Sequence, residues 1–289
     1  SCSDSFAAMQ RVTTPDGNEV AVHDLGGDGP PLLLAHATGF HGRVWEPVAG
    51  HLADRFHCIA FDERGHGDSD PAPDGDYDWK GFATDALAVV DGLGLGDGGT
   101  PLRAVGHSCG GALLFLAEQR RPGTFAELWT YEPVIVPLEG LAALPDGKNP
   151  LAAGARKRRP TFASKQAAYD NYASKPPFNV LDHAALHAYV GHGFASQPDG
   201  SVRLKCEPEN EARTYEHGMH HDAFAHLREV TIPVTVVCGE VTDAFPEPVI
   251  RLIAEQLPAG RAEVLAGLGH FGPLQDPAAV ANSILAALT

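Results

Sequence analysis

The feature that most constrains this chain is a short apolar run that stops on a glycine-flanked serine. Leu-Arg-Ala-Val at 102–105 reads as a buried strand. Gly106, His107, Ser108, Cys109 and Gly110 follow at once, a match to G-x-S-x-G, and Ala-Leu-Leu-Phe-Leu-Ala at 112–117 reads as a buried helix. Strand, sharp turn and helix form the context that a nucleophile elbow requires. The reason is steric. The turn holds the serine in a strained conformation that lifts its hydroxyl clear of the sheet edge. Glycines at 106 and 110 remove side chains that would collide where strand and helix pass. A helix beginning at the serine aims its unpaired N–H groups and its dipole at any oxyanion formed there. A Ser-Gly turn produces the same five letters by chance, so the rest of the chain must supply the serine's partners.

Around this elbow, strand and helix patterns alternate. Residues 10–25 read as two strands joined by the turn signal Pro-Asp-Gly-Asn at 15–18. Leu-Leu-Leu-Ala at 32–35 is a buried strand that runs into a loop holding His36, Thr38, Gly39 and Phe40. Cys-Ile-Ala-Phe-Asp at 58–62 is the next strand. Trp79, Phe82, Ala83, Ala86, Val90 and Leu93 recur at helical spacing. Leu-Trp-Thr-Tyr-Glu-Pro at 128–133 is a further strand, after which the alternation stops. Residues 134–228 show helical patches, around Tyr169 and Tyr172 and around Leu186, Tyr189 and Val190, but no clear buried strand. From 229 the rhythm resumes with strands at 234–238 and 262–265 and helices carrying Val249 to Leu257 and Val280 to Leu288. This order predicts an α/β fold, a mostly parallel sheet covered by helices on both faces. The expected organisation is a core in two parts, 9–133 and 229–289, with a helical cap inserted at 134–228.

Composition narrows the partners. A chain of 289 residues accommodates one large α/β domain with an insertion. Its net charge of −16 opposes binding to nucleic acid or to an anionic membrane. No apolar run approaches the roughly 18 residues of a membrane-spanning helix, and no secretory signal is evident. Residues 1–8 read as a polar tail. Five cysteines without metal-ligand spacing, two of them (Cys58 and Cys238) in strand-like runs, fit a reducing, cytoplasmic setting. A monomer and a homodimer are both compatible with the sequence.

A serine hydroxyl needs a base, and the base needs an orienting acid. His270, in Leu-Gly-His-Phe-Gly between a strand and the last helix, is the candidate base. For the acid, Asp243 leaves the end of the strand at 234–238, whereas Glu132 ends the strand before the cap. Asp243 is expected to be the acid, with Glu132 as its rival. Phe40, Phe245 and Phe271 adjoin the presumptive catalytic loops. Phe178 and Tyr215 in the cap segment, together with His36, complete a candidate substrate pocket. Two weaker signals stand apart. The basic run Arg-Lys-Arg-Arg at 156–159 reads as a solvated helix end or as a patch steering an anionic substrate. His217, His220 and His221 lack an H-E-x-x-H pattern, and no metal or cofactor is expected.

These residues resemble the α/β-hydrolase superfamily, in its lidded serine-hydrolase and esterase branch. Besides the elbow and the late Gly-His, the resemblance rests on Asp62-Glu63-Arg64-Gly65-His66-Gly67-Asp68-Ser69, which is similar to that family's D-x-R-G-x-G-x-S turn. The match implies backbone donors to an oxyanion hole from Thr38 and Cys109, although His-Ala-Thr-Gly stands where His-Gly is usual. It also implies hydrolysis of a small-molecule carboxylic ester or lactone through an acyl-enzyme. A thioesterase, a C–C bond hydrolase and a hydrolase-fold receptor with little turnover remain open with the same residues. In most of that family the acid follows the strand after the cap; in some haloalkane-cleaving relatives it follows the strand before it.

Overall fold

The computed structural model describes residues 9–137, 149–218 and 220–288. The expected tail at 1–8 and the stretch 138–148 of the expected cap lie outside the described residues. The strands are β1 (Gln10–Thr13), β2 (Glu19–Gly26), β3 (Pro31–Ala35), β4 (His57–Phe61), β5 (Arg103–His107) and β6 (Glu127–Tyr131). After them come β7 (Thr161–Phe162), β8 (Phe194–Ser196), β9 (Val202–Leu204), β10 (Val234–Gly239) and β11 (Gly260–Leu265). The helices are α1 (Glu46–Leu52), α2 (Trp79–Gly92), α3 (Cys109–Arg120), α4 (Pro150–Arg156) and α5 (Lys165–Ala173). They continue with α6 (His183–Gly193), α7 (Pro208–His217), α8 (Glu247–Gln256), α9 (Gly272–Gln275) and α10 (Pro277–Leu288).

Eight strands form one sheet in the order β1-β2-β4-β3-β5-β6-β10-β11. The β1–β2 and β2–β4 pairs are antiparallel and every other neighbour is parallel. Strand pleating divides the side chains between two faces. Leu33, Ala35, Ala104 and Leu128 join the core beneath α2, α3 and α8, whereas Leu32, Leu34, Val105 and Trp129 join the core beneath α1 and α10. Burial on both faces is what allows these strands to be continuously apolar. Local chemistry starts the helices. Asp78 accepts from the Lys80 N–H at the head of α2, and Asp182 accepts from the Ala184 and Ala185 N–H groups at the head of α6.

The segment between β6 and β10 differs from its sequence reading in one respect. Besides helices α4 to α7 it holds a three-stranded antiparallel sheet, β7-β9-β8. These strands have two or three residues each, too few to display the alternation that marks a strand in sequence. The segment is tied to the large sheet's loops at several points. Trp79 Nε1 donates to the Thr214 carbonyl at 3.0 Å, His41 Nε2 donates to the Tyr189 carbonyl at 3.1 Å, and Lys205 Nζ meets Asp68 Oδ1 at 2.6 Å.

The Asp62-to-Ser69 turn is a structural lock. Asp62 accepts from the Gly42 N–H at 2.6 Å, the Asp68 N–H at 2.7 Å and His23 Nε2 at 2.9 Å. Arg64 forms a two-pronged pair with Asp85 on α2, at 2.7 and 2.6 Å. A β-carbon on Gly67 would stand 2.2 Å from Asp62 Oδ2, which is why only glycine fits there. Together these bonds bind β4 to α2 and fix the loop on which α1 begins. Among the described residues no helix is long and apolar enough to cross a membrane.

Candidate active site

Ser108 lies between β5 and α3 at φ 56°, ψ −114°, a strained conformation for a residue with a β-carbon. The close approach that the sequence predicted is present. A β-carbon on Gly106 would stand 2.6 Å from the Gly110 carbonyl oxygen, and one on Gly110 would stand 2.4 Å from the Ala35 carbonyl oxygen. Ser108 donates its own N–H to the Tyr131 carbonyl at 2.9 Å, and its side chain is 8 % exposed.

His270 is held from below by the ends of β5 and β6. His107 Nε2 donates to the His270 carbonyl at 2.8 Å, and the Tyr131 hydroxyl donates to the Gly269 carbonyl at 2.7 Å. Burial pushes the His107 imidazole well below its ordinary range, with the His270 ring adding to the effect, so His107 is a neutral donor. No hydrogen bond joins Ser108 Oγ to the His270 ring, a contact that is often long in an unliganded enzyme. The two residues are neighbours through His107, whose ring centroid is 5.1 Å from that of His270.

The carboxylate on His270 is Glu132. Its Oε2 is 2.6 Å from His270 Nδ1 and 2.9 Å from the Thr242 hydroxyl, and its Oε1 accepts from the Gly239 N–H at 3.1 Å. Glu132 is fully buried and has a positive φ of 44°. This corrects the expectation for Asp243, which is exposed in the bend after β10 and makes no hydrogen bond to His270. The loop after β10 does reach the site, but it brings the Thr242 hydroxyl and the Gly239 N–H. They are donors that orient a carboxylate supplied by the neighbouring strand. Sequence reading missed both of them, together with His107 and Tyr131. A hydroxyl one residue before the expected acid was the available signal.

The backbone N–H groups of Thr38 and Cys109 take no partner among the described residues, whereas that of Gly110 donates to the His36 carbonyl at 3.0 Å. The Cys109 thiol is fully buried beside the side chains of Thr38 and Glu63, and burial pushes both the thiol and the Glu63 carboxyl well above their ordinary values. Cys109 is therefore a neutral thiol, and its backbone is the part that faces the elbow. His36, expected to line the pocket, is not among the residues in the cavity's walls. It is fully buried, donates from Nδ1 to the Ala37 carbonyl at 2.8 Å and accepts at Nε2 from the Glu63 N–H at 3.0 Å. Burial pushes it down to about 3, so it is a neutral brace for the Thr38 loop.

A cavity of about 640 Å³ is lined by Thr38, Phe40, Phe178, Tyr215 and Phe271 among others; Thr38 and Phe271 join it to the site, and Ser108 and His270 are not in its walls. The rings of Phe40, Phe178 and Phe271 lie 5.7 to 6.2 Å apart. Phe245 packs on the His270 ring at 6.2 Å instead of lining the cavity. Of the histidines at 217–221, His217 and His220 have ring centroids 5.8 Å apart. His221 donates from Nε2 to the Val134 carbonyl and stacks on Trp79.

The comparisons with known proteins agree with this architecture. The sequence profile of the alpha/beta hydrolase family matches residues 32–283. A 2-(acetamidomethylene)succinate hydrolase of Mesorhizobium japonicum is 28 % identical over 247 residues, covering 85 % of this chain and 83 % of its own. A non-heme chloroperoxidase of Kitasatospora aureofaciens is 28 % identical over 279 residues, covering 91 % and 92 %. The crystal structure of E-2-(acetamidomethylene)succinate hydrolase superposes with a TM-score of 0.81 at 23 % identity, covering 97 % of this chain and 98 % of that one.

Proposed function

The chain belongs to the alpha/beta hydrolase family, and from that premise we propose that it is a serine hydrolase acting on a small-molecule carboxylic ester or lactone through Ser108, His270 and Glu132. The observation that carries this reading is the 2.6 Å bond from His270 Nδ1 to the fully buried Glu132, formed beside a serine held in a strained elbow. That bond fixes the tautomer, leaving Nε2 as the base for the Ser108 proton. Ser108 Oγ attacks the carbonyl carbon, and the proton passes to His270 Nε2. The Thr38 and Cys109 N–H groups receive the developing oxyanion. His270 returns the proton to the leaving alcohol as the acyl-enzyme forms, and water then repeats the sequence to release the acid. The segment 134–228 serves as a lid. What supports this is that the cavity draws its walls both from the Thr38 loop and from that segment. The relative named for hydrolysis of 2-(acetamidomethylene)succinate favours turnover over a receptor role.

The test is a fluorophosphonate probe combined with a panel of p-nitrophenyl esters. One label per chain is expected, at Ser108, with steady turnover. Ser108→Ala is expected to lose both while keeping its circular dichroism spectrum. A single slow acylation without turnover would identify a receptor, and an active Ser108→Ala variant would overturn the nucleophile.

A further inference from the structure

The cavity that reaches the elbow's surroundings through Thr38 and Phe271 has a charge opposite to that of the molecule. In a chain of net charge −16, its walls carry Lys157, Arg158, Arg159 and Lys175 against one carboxylate, that of Glu211. The basic run at 156–159 is thus divided by the structure. Arg156 faces away from the cavity and is taken up by Glu209 and Glu216, whereas Lys157, Arg158 and Arg159 face it. Arg159 lies over the Phe162 ring at 4.5 Å and donates Nε to the Thr161 carbonyl. Lys157, Arg159 and Lys175 form no ion pair among the described residues. Like charges collected in a concave, partly apolar site raise the local concentration of an oppositely charged ligand.

Arg158 is the fixed point of this group. Its guanidinium is mostly buried, with Nη1 on Glu211 and Nη2 on the hydroxyls of Tyr172, at 3.0 Å, and Tyr189. These partners hold the fork in place without using all of its N–H donors. The fork also lies against the loop that carries Thr38. A β-carbon on Gly39 would stand 3.4 Å from Arg158 Nη1 and 2.7 Å from Glu211 Oε1. A carbonyl seated on the Thr38 N–H is therefore a short hydrocarbon chain away from a planar cation. The rings of Phe40, Phe178 and Phe271 line the space between. The donors left open are Nε–H and one Nη1–H, so a carboxylate here would take a charge-assisted hydrogen bond from a fixed cation and not a two-pronged pair.

Resting on the serine-hydrolase reading above, we propose that the substrate carries a free carboxylate on its acyl side, held by Arg158, with Lys157, Arg159 and Lys175 drawing it into the cavity. The bond cleaved is then the ester of a short dicarboxylic acid.

The test compares p-nitrophenyl valerate with the p-nitrophenyl half-ester of glutaric acid, which differ only in a terminal methyl or carboxylate. The wild type is expected to favour the half-ester in kcat/KM by about 10-fold or more, the order expected of a charge-assisted hydrogen bond. That preference should vanish in Arg158→Met and be partly kept in Arg158→Lys. It should fall several-fold in the Lys157→Gln/Lys175→Gln double variant and stay unchanged in Arg156→Gln. A second measurement stands apart from turnover and from the folding of the Arg158 variants. Glutarate should slow the labelling of wild-type Ser108 by a neutral fluorophosphonate, whereas pentanol and inorganic phosphate should not. A wild-type ratio of one or less, or labelling indifferent to glutarate, overturns the carboxylate site and leaves the hydrolase reading intact. Phosphate protecting as well as glutarate would show a general anion site and also overturn it. Absence of label at Ser108 would instead remove the hydrolase reading itself.

Discussion

Glu132 combines three unusual properties in one residue: full burial, a left-handed backbone and a short bond to an imidazole. A buried carboxylate is tolerated only when its oxygens are hydrogen-bonded. Here the Gly239 N–H, the Thr242 hydroxyl and His270 Nδ1 do this. Glu132→Gln keeps the shape but lets the amide donate to His270, which favours the wrong tautomer. Its kcat on p-nitrophenyl butyrate is expected to fall by up to about 10⁴-fold, as for the equivalent change in other triads. Asp243→Asn, at an exposed bend, is expected to stay within about twofold, the range of a surface substitution. Steady-state kinetics on the two variants side by side check both outcomes. A dead Asp243→Asn with an active Glu132→Gln would show that the resting geometry is not the working one.

At the scale of elements, His270 is positioned by strands other than its own. β11 leads into the His270 loop, but the loop's carbonyls are held by His107 at the end of β5 and by Tyr131 at the end of β6. A β-carbon on Gly272 would stand 2.2 Å from the Tyr131 hydroxyl, so the start of α9 packs directly on that phenol. Tyr131→Phe removes one hydrogen bond and keeps the packing. Loss of that bond should lower the urea-unfolding free energy by about 1 kcal/mol. Catalysis should suffer more than binding, because a displaced imidazole weakens proton transfer and leaves the acyl cavity intact. A fall in kcat of roughly 10-fold with KM nearly unchanged is expected. An equal rise in KM instead would place Tyr131 in the cavity's support.

Over the whole molecule, the acidic limit of stability is set by buried neutral histidines. Burial pushes His36 down to about 3, and His41 and His66 each down to about 4. In the unfolded chain each binds a proton near its ordinary value of about 6.5. Between these values the unfolded state holds more protons, so stability rises with pH there. The contribution is fully present above about pH 6.5 and is lost as the pH falls toward 4. At pH 5.5 each of the three removes about 1.2 kcal/mol relative to pH 7. Glu63, Asp85 and Glu118 act in the opposite sense, since burial raises their carboxyls, but burial also lowers His107 and His221, so the histidines outnumber them. The midpoint of urea unfolding is expected to fall steadily from pH 7 to pH 4.5, and a midpoint that held constant would refute this account.

What the sequence by itself determined was everything that depends on neighbours a few residues apart. The elbow at Ser108 follows from glycines two residues to either side, the His270 loop from its flanking glycines, and the Asp62 turn from its glycines at 65 and 67. The strands followed from apolar runs long enough to show that both faces are covered. Tertiary structure alone decided which carboxylate meets His270, because that depends on which of two adjacent strands, β6 or β10, turns a carboxylate toward it. The bond that results joins residues 138 positions apart, and the positive φ that aims Glu132 leaves no mark in composition or periodicity. Tertiary structure likewise separated Arg158 from Arg156, because two neighbours in one basic run face a cavity or solvent according to how α4 packs on α7.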